Sequence, residues 1–133
     1  MPFRTSMRCL IVDDSTSFLA AARKALESDD MAVVGVASNS GEALRRVDEL
    51  HPDVVLIDIN LGAESGFDLA ENLSHAVPEP CPMILISTHA EEDFADLTAA
   101  SPAAGFLAKS SLTPAAIRSL LARLPRVQER KHG

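Results

Sequence analysis

Several residue types are scarce or absent in this chain of 133 residues. It has no Trp, no Tyr and only five Phe, so we expect no platform of aromatic rings for stacking nucleic-acid bases. Two cysteines are too few for a disulfide framework, which favours a reducing cytoplasmic compartment. No apolar run approaches the ~18 residues of a membrane-spanning helix, and residues 1–6 lack the apolar stretch of a signal peptide. The sequence therefore predicts no contact with a membrane.

Positive charge is also in short supply, because 12 Lys and Arg stand against 19 Asp and Glu, a net charge of −7. This balance argues against the phosphate backbone of nucleic acids as a direct partner. Apolar residues make up 47% of the chain, which excludes an acidic disordered segment. The length is that of one ordinary domain. We therefore expect one acidic globular domain. Residues 118–133 differ, with five Lys and Arg against one acidic residue, so the chain ends in a basic helix and tail.

Short apolar runs alternate with segments of helical periodicity along the chain. Each apolar run predicts a strand, and each periodic segment that follows predicts an amphipathic helix. Such alternation favours an α/β fold with a parallel sheet covered by helices on both faces. The predicted strands are 9–12, 31–37, 54–57, 83–86 and 105–108, and the fourth and fifth predicted helices are 91–100 and 113–124, the latter with Thr113 as its cap. We expect a glycine-bearing loop over 60–66 and a stiff linker with Pro78, Pro80 and Pro82.

Polar side chains follow four of the five predicted strands. In a parallel sheet the carboxyl ends of the strands lie along one edge, where ligands bind. We therefore expect these side chains to share one cleft. They are Asp13 and Asp14 after the first strand, Asp58 after the third, Ser87 and Thr88 after the fourth, and Lys109 after the fifth.

The residue types in this predicted cleft suit phosphoryl chemistry. Three close carboxylates need a compensating charge, and Mg²⁺ prefers a few carboxylates together with water. Beside such a metal, Asp58 would act as an oxygen nucleophile toward a phosphoryl group, with Lys109 as a point charge for its oxygens. Taken singly, each residue is typical of a turn, a helix cap or a solvated charge, so the hypothesis depends on their combination.

Together, these motifs resemble the receiver domain of two-component response regulators. The resemblance covers about residues 7–124, and it leaves 1–6 as an amino-terminal extension and 125–133 as a basic tail or the start of a linker. It implies a flavodoxin-like fold with a five-stranded parallel sheet in the order 2-1-3-4-5. The motifs are LIVDD at 10–14, VLIDINL at 55–61, Gly66, ILIS at 84–87 and GFLAK at 105–109.

The resemblance also implies roles for single residues. Asp58 would accept a phosphoryl group from a sensor histidine kinase or a phosphotransfer protein. Asp13, Asp14 and Asp58 would hold Mg²⁺ together with the main-chain carbonyl of Asn60, and Lys109 would contact the bound phosphoryl group.

The resemblance also implies a conformational switch that responds to phosphorylation. Ser87, followed by Thr88, would move toward the phosphoryl group, and Phe106 would turn inward as it does so. The face of the fourth helix, the fifth strand and the fifth helix would then change, and a homodimer through this face is among the implied partners.

This chain departs from the common receiver pattern at several positions. Gly62 stands where many receivers have Pro, and Ser110 stands where many have a Pro joined to the lysine by a cis bond. Because a cis bond without proline costs ~3 kcal/mol, a cis bond between Lys109 and Ser110 is in question. Asn60 and His89 occupy positions through which the family tunes dephosphorylation, and we expect His89 to be a solvated loop residue.

Other functions remain open at this point. A metal-dependent phosphohydrolase with an Asp nucleophile usually carries a second Asp two residues further on, where this chain has Asn60. A receiver-like interaction domain that is never phosphorylated is disfavoured by the complete set of acidic residues, Ser87 and Lys109. We therefore expect a phosphoacceptor that signals, rather than a turnover enzyme.

The output of the domain is not specified by the sequence. Few residues follow the predicted fifth helix, so the chain is either a stand-alone receiver or the amino-terminal part of a longer regulator. Residues 110–114 resemble receivers that are coupled to helix-turn-helix domains, which would make it part of a transcriptional regulator.

Overall fold

The computed structural model describes residues 6–28, 30–76, 81–89 and 91–123. The predicted linker around Pro78 and Pro80, the last predicted helical residue Leu124, the basic tail and most of the amino-terminal extension lie outside these residues. In chain order the elements are β1 (Met7–Val12), α1 (Thr16–Leu26), β2 (Met31–Ala37), α2 (Ser40–Leu50), β3 (Val54–Asp58), β4 (Asn60–Leu61), β5 (Glu64–Ser65), α3 (Gly66–Ala76), β6 (Met83–Ser87), α4 (Ala95–Ala100), β7 (Gly105–Ala108) and α5 (Pro114–Ala122).

Five of the strands form one parallel sheet in the order β2-β1-β3-β6-β7. Since β6 and β7 are the fourth and fifth predicted strands, the predicted flavodoxin-like order 2-1-3-4-5 is confirmed. After β2 the chain crosses over β1 and adds its later strands on the other side of β1. The carboxyl ends of β1 and β3 therefore lie beside each other where the strand order reverses, and open parallel sheets bind ligands at this point.

Successive residues of the strands point to opposite faces and form two separate cores. On one face, Leu10, Val55 and Leu85 pack with side chains from α2 and α3. On the other face, Ile11 and Leu56 pack with side chains from α1 and α5. Because both faces are covered, the strands can be apolar at nearly every position, which is why they appear in the sequence as continuous apolar runs.

Side-chain caps fix the start of three helices. Ser15 accepts a hydrogen bond from Phe18 N at 3.2 Å at the start of α1, and Asn39 accepts one from Glu42 N at 2.9 Å at the start of α2. Thr113 accepts one from the N–H of Ala116 at 3.0 Å, which confirms the predicted cap of α5.

The prediction of a continuous helix over 91–100 is wrong. Residues Glu91–Phe94 form a 3₁₀ turn, and the α-helix that follows has only the six residues Ala95–Ala100. No residue of α4 is buried, and Leu97 is 55% exposed. With Phe94 as its main contact with the core, this segment lacks the apolar stripe that stabilises a longer helix.

The segment between β3 and α3 is more ordered than the predicted loop. Strands β4 and β5 pair antiparallel, with Asn60 opposite Ser65 and Leu61 opposite Glu64. We call residues Asn60–Ser65 the acceptor hairpin, because they directly follow Asp58 and Ile59. Among the described residues, no helix is both long enough and apolar enough to span a membrane.

Candidate functional site

Three carboxylates meet at the carboxyl edge of the sheet, as the sequence predicts. One oxygen from each of Asp13, Asp14 and Asp58 lies within 4.8 Å of the others. Asp13 is fully buried, Asp58 is 7% exposed, and Asp14 is exposed. Asp58 is the last residue of β3, and Asp13 and Asp14 follow the neighbouring β1, so adjacent strands bring the carboxylates together.

The backbone around Asp13 and Asp58 fixes both side chains. The Asp13 carboxylate accepts a hydrogen bond from Ser15 N at 2.8 Å, just before α1 begins. The Asp58 carboxylate accepts one from Asn60 N at 3.3 Å, at the start of the acceptor hairpin. Each acidic side chain is thus held by the loop that follows its own strand.

Lys109 is the cation of this cluster. Its Nζ atom lies 2.6 Å from Asp13 Oδ2 and 3.4 Å from Asp58 Oδ2. The same atom lies 4.1 Å from the centroid of the Phe18 ring, close enough for a cation–π contact. The Lys109 side chain is only 14% exposed, so α1 and the sheet edge hold the ammonium group among the carboxylates.

The charges in the cluster are not balanced by Lys109 alone. Burial, and next to it the Asp13 carboxylate, raise the pKa of Asp58 above its ordinary value, while Asn60 N–H and Lys109 act in the opposite direction. Asp13 Oδ2 is buried, and its close contact with Lys109 lacks the geometry of a hydrogen bond. A buried oxygen without a hydrogen bond, beside two further carboxylates, fits a hard divalent cation such as Mg²⁺.

Ser87 and Thr88 lie on the other side of Asp58. Ser87 ends β6, is 2% exposed, and accepts a hydrogen bond from His89 N at 3.0 Å. Its Oγ atom also lies 3.4 Å from His89 Nδ1. Thr88 is exposed, and both residues line the same open cleft of about 530 Å³ as the carboxylates and Lys109. The hydroxyl of Ser87 is therefore engaged by the residue two positions further on.

Phe106 occupies the inward position in this structure. It is 4% exposed, and its ring stacks on that of Phe94, with centroids 6.1 Å apart. Phe94 also contacts the rings of His89 at 5.9 Å and Phe67 at 6.4 Å. A row of rings thus joins the loop after Ser87 to β7, and the predicted movement of Phe106 stays a prediction.

The departures from the common receiver pattern have local structural causes. Gly62 has φ +71°, which the ring of a proline cannot adopt. The bond between Lys109 and Ser110 is trans, since the described residues contain no cis peptide bond. The chain instead turns after Lys109 through the 3₁₀ turn Lys109–Ser111.

Two contacts, one in this site and one beside it, were not predicted from the sequence. Phe18 has the spacing of a core residue of α1, and its contact with Lys109 depends on the distant β7. Glu64 lies in what was predicted as a loop, and its carboxylate accepts two hydrogen bonds from Ser40, 24 residues away. No local pattern marks either contact.

Known proteins resemble this chain over most of its described length. The response regulator receiver domain family matches residues 9–122. A protein-glutamate methylesterase/protein-glutamine glutaminase from Methanosarcina acetivorans is 40% identical over 83 residues, which is 62% of this chain and 23% of that protein. A second one, from Hydrogenovibrio crunogenus, is 36% identical over 95 residues, 71% of this chain and 24% of that protein. The chain thus spans about a quarter of the length of these relatives.

Solved structures agree with the family assignment. The signal receiver domain of the response regulator NarL from Mycobacterium tuberculosis superimposes with a TM-score of 0.78 at 28% identity, over 90% of this chain and 100% of that domain. The response regulator domain of CheB from Thermotoga maritima has a TM-score of 0.75 at 22% identity, over 88% of this chain and 95% of that domain, and supports the fold alone. The chain belongs to the response regulator receiver domains, the phosphoacceptor signalling modules of two-component systems.

Proposed function

We propose that Asp58 is the phosphoacceptor of this receiver, and that the phosphoryl group comes from a phosphohistidine on a sensor kinase or a phosphotransfer protein. The observation that carries this proposal is the position of the Asp58 carboxylate. It lines the cleft at the end of the central strand β3, with Lys109 Nζ at 3.4 Å and Asp13 beside it. Asp13 is fully buried, so Asp58 is the more accessible of the two acidic groups that Lys109 contacts.

The transfer replaces one bond to phosphorus by another. A carboxylate oxygen of Asp58 attacks the phosphorus atom, the P–O bond forms, and the P–N bond to the donor imidazole breaks. The imidazole nitrogen keeps the electron pair of that bond and takes up a proton from solvent. Such a reaction depends mainly on positioning and on neutralising charge, and Lys109 provides a positive charge for the phosphoryl oxygens.

Asp13, Asp14 and Asp58 would hold Mg²⁺ with the main-chain carbonyl of Asn60. When bound, the ion neutralises negative charge on the carboxylates and on the transferred phosphoryl group. The protein's part is to keep these oxygens together on two adjacent strands and one hairpin. Receivers in general use this metal, and the acidic cluster described above fits it.

The switch that follows phosphorylation starts from the hydrogen bond between His89 N–H and Ser87 Oγ. If Ser87 turns toward the phosphoryl group, it loses the hydrogen bond from His89 N–H, and the ring of His89 touches Phe94. Movement of this loop would change the stacking of Phe94 on Phe106. We propose that the face of α4, β7 and α5 changes as a result, and that partners, including a second copy of this chain, bind there.

The activity named for the methylesterase relatives is not part of this proposal. Those proteins are about four times as long as the segment that this chain matches. The catalytic step proposed here is a single transfer to Asp58, followed by slow loss of the phosphoryl group to water.

Phosphorylation by a small donor tests the proposal. The chain is incubated with acetyl phosphate and Mg²⁺, and its intact mass is measured. We expect one phosphoryl adduct on the wild type, none without divalent metal, and none on Asp58→Asn. Asp48→Asn, which removes an exposed carboxylate from α2, is the matched control and should be labelled like the wild type.

Two outcomes of this experiment would contradict the proposal. Equal labelling of the wild type and of Asp58→Asn would mean that Asp58 is not the acceptor. Continuous release of phosphate from many organic phosphates, without a stable adduct, would favour the phosphohydrolase.

A further inference from the structure

We propose that Glu64 is a positioning residue for the acidic site, because it fastens the acceptor hairpin to the amino-terminal end of α2. The inference rests on the proposed function, since it concerns the metal that phosphorylation of Asp58 requires. Glu64 itself touches neither the carboxylates nor Lys109, so it would act through the hairpin.

The contact between Glu64 and α2 uses both oxygens of the carboxylate. Oε1 accepts a hydrogen bond from Ser40 N at 2.8 Å, and Oε2 accepts one from Ser40 Oγ at 2.8 Å. Ser40 is the first residue of α2, where backbone N–H groups have no partner within the helix and the helix dipole favours negative charge. The cap residue Asn39 serves a different donor, Glu42 N, so Glu64 supplies the acceptor that the helix lacks at Ser40.

The hairpin transmits this contact directly to the site. Glu64 pairs with Leu61, and the next pair is Ser65 with Asn60, whose main-chain carbonyl is the proposed metal ligand. The turn between the strands has Gly62 at φ +71° and no positive φ at Ala63, the pattern of a type II′ turn. The hairpin is therefore a short arm, with Glu64 one residue pair away from Asn60.

The tip of the arm also lies against the acidic cluster. A Cβ atom at Gly62 would lie 3.2 Å from Asp14 Oδ2, so the backbone of the turn runs close to this carboxylate. A change in the position of the hairpin would thus alter two parts of the proposed metal site at once, the carbonyl of Asn60 and the space around Asp14.

The acceptor hairpin is too short to be stable without contacts to the rest of the domain. A two-stranded hairpin is marginally stable by itself in water, and β4 and β5 have only two residues each. Leu61, which is 4% exposed, fixes one strand to the core. Glu64 fixes the other strand to α2, and Gly66 N donates a hydrogen bond to Ile59 O at 2.9 Å where that strand ends. Loss of Glu64 would therefore loosen the hairpin at the turn, between these two attachments.

The experiment measures the affinity for Mg²⁺ alone, by titration of the metal-free chain followed through backbone amide NMR shifts. We expect Glu64→Ala to weaken Mg²⁺ binding by about fivefold, the factor that corresponds to one net hydrogen bond. Glu64→Gln keeps one acceptor oxygen and should recover part of the affinity. Because the metal is the probe, the result does not depend on phosphorylation.

Glu42 provides a closely matched control. Its carboxylate accepts hydrogen bonds from Ser38 N at 2.7 Å and Ser38 Oγ at 3.0 Å, at the same end of α2. This contact stabilises the helix end but does not involve the hairpin. We expect Glu42→Ala to lower thermal stability about as much as Glu64→Ala and to leave the Mg²⁺ affinity unchanged.

The outcomes separate this inference from the proposed function. If Glu64→Ala and Glu64→Gln bind Mg²⁺ like the wild type, or if Glu42→Ala weakens binding equally, Glu64 has no positioning role. Phosphorylation of wild-type Asp58 would be unaffected by that result. If instead the wild type binds Mg²⁺ but is never labelled on Asp58, the proposed function fails while the effect of Glu64 on metal binding is still measured.

Discussion

Replacement of Asp58 by Asn should make the metal-free chain more stable at neutral pH. Asp58 is almost buried, and its carboxylate shares a small space with that of Asp13. Both circumstances raise the pKa of Asp58, so the folded chain favours the protonated form. An Asn side chain has nearly the same shape as the protonated acid and carries no charge.

The sign of the effect follows from this raised pKa. The folded-state pKa lies above the ordinary value of 3.8. The favourable contribution of the protonated acid is therefore complete below pH 3.8 and is lost as the pH rises through the folded-state pKa. At neutral pH the charged group opposes folding, and Asp58→Asn removes that opposition.

The size of the expected change in stability depends on the balance of opposing electrostatic energies at the Asp58 carboxylate. At an effective dielectric constant of about 20, carboxylate oxygens that lie within 4.8 Å of each other repel by about 3.5 kcal/mol or more. On the same scale, Lys109 Nζ at 3.4 Å attracts Asp58 by about 5 kcal/mol, but Lys109 lies still closer to Asp13. These two terms leave a net attraction of about 1.5 kcal/mol for the charged form. Burial of the charge costs several kcal/mol and outweighs this attraction, so we expect a net gain on the order of 1 kcal/mol, or about 4 °C in Tm.

Thermal unfolding in a chelating buffer measures this gain, with Asp48→Asn as the control for loss of an exposed acid. Addition of Mg²⁺ should raise the Tm of the wild type more than that of Asp58→Asn, because the variant has lost one ligand. If Asp58→Asn is less stable than the wild type without metal, the attraction of Lys109 outweighs burial and repulsion, and the reasoning is refuted.

Three further perturbations test other parts of the structure. Lys109→Met leaves Asp13 and Asp58 without their cation and should lower the free energy of unfolding by about 3 kcal/mol in urea titrations; an unchanged midpoint would show that the lysine is not part of the cluster. Gly66→Ala places a Cβ against the main-chain carbonyl of Asp58, and should lower the free energy of unfolding by about 2 kcal/mol, whereas a stable variant with normal labelling would contradict the tight packing. Burial raises the pKa of Cys9 to about 12, so iodoacetamide at neutral pH should modify it only after denaturation, and modification of the native chain, detected by peptide mass, would contradict its burial.

Much of the fold follows from local sequence patterns. The five parallel strands are apolar at almost every position because both faces of the sheet are covered, and the helices α1, α2, α3 and α5 each have a periodic apolar stripe. Asp13, Asp58 and Lys109 could be assigned to one cleft because residues after parallel strands share an edge. Each of these inferences uses residues that are close together in the sequence, and none requires knowledge of which distant side chains are in contact.

The parts that sequence reasoning missed depend on such contacts. The segment 91–100 has helical spacing, but only Phe94 reaches the core, and the result is a 3₁₀ turn and a six-residue helix. The hairpin after Asp58 is stabilised by the pairing of Glu64 with Ser40 across 24 residues. The contact of Phe18 with Lys109 likewise joins α1 to the residue that directly follows β7.

Chemical trapping of the modified residue identifies the phosphoacceptor directly. The chain is phosphorylated with acetyl phosphate and Mg²⁺ and then reduced with borohydride, which converts an aspartyl phosphate into homoserine, and the site is found by peptide mass mapping. We expect homoserine at position 58 alone, with Asp13 and Asp14 unmodified. Homoserine at another acidic residue, or none in a chain that binds Mg²⁺, would contradict it.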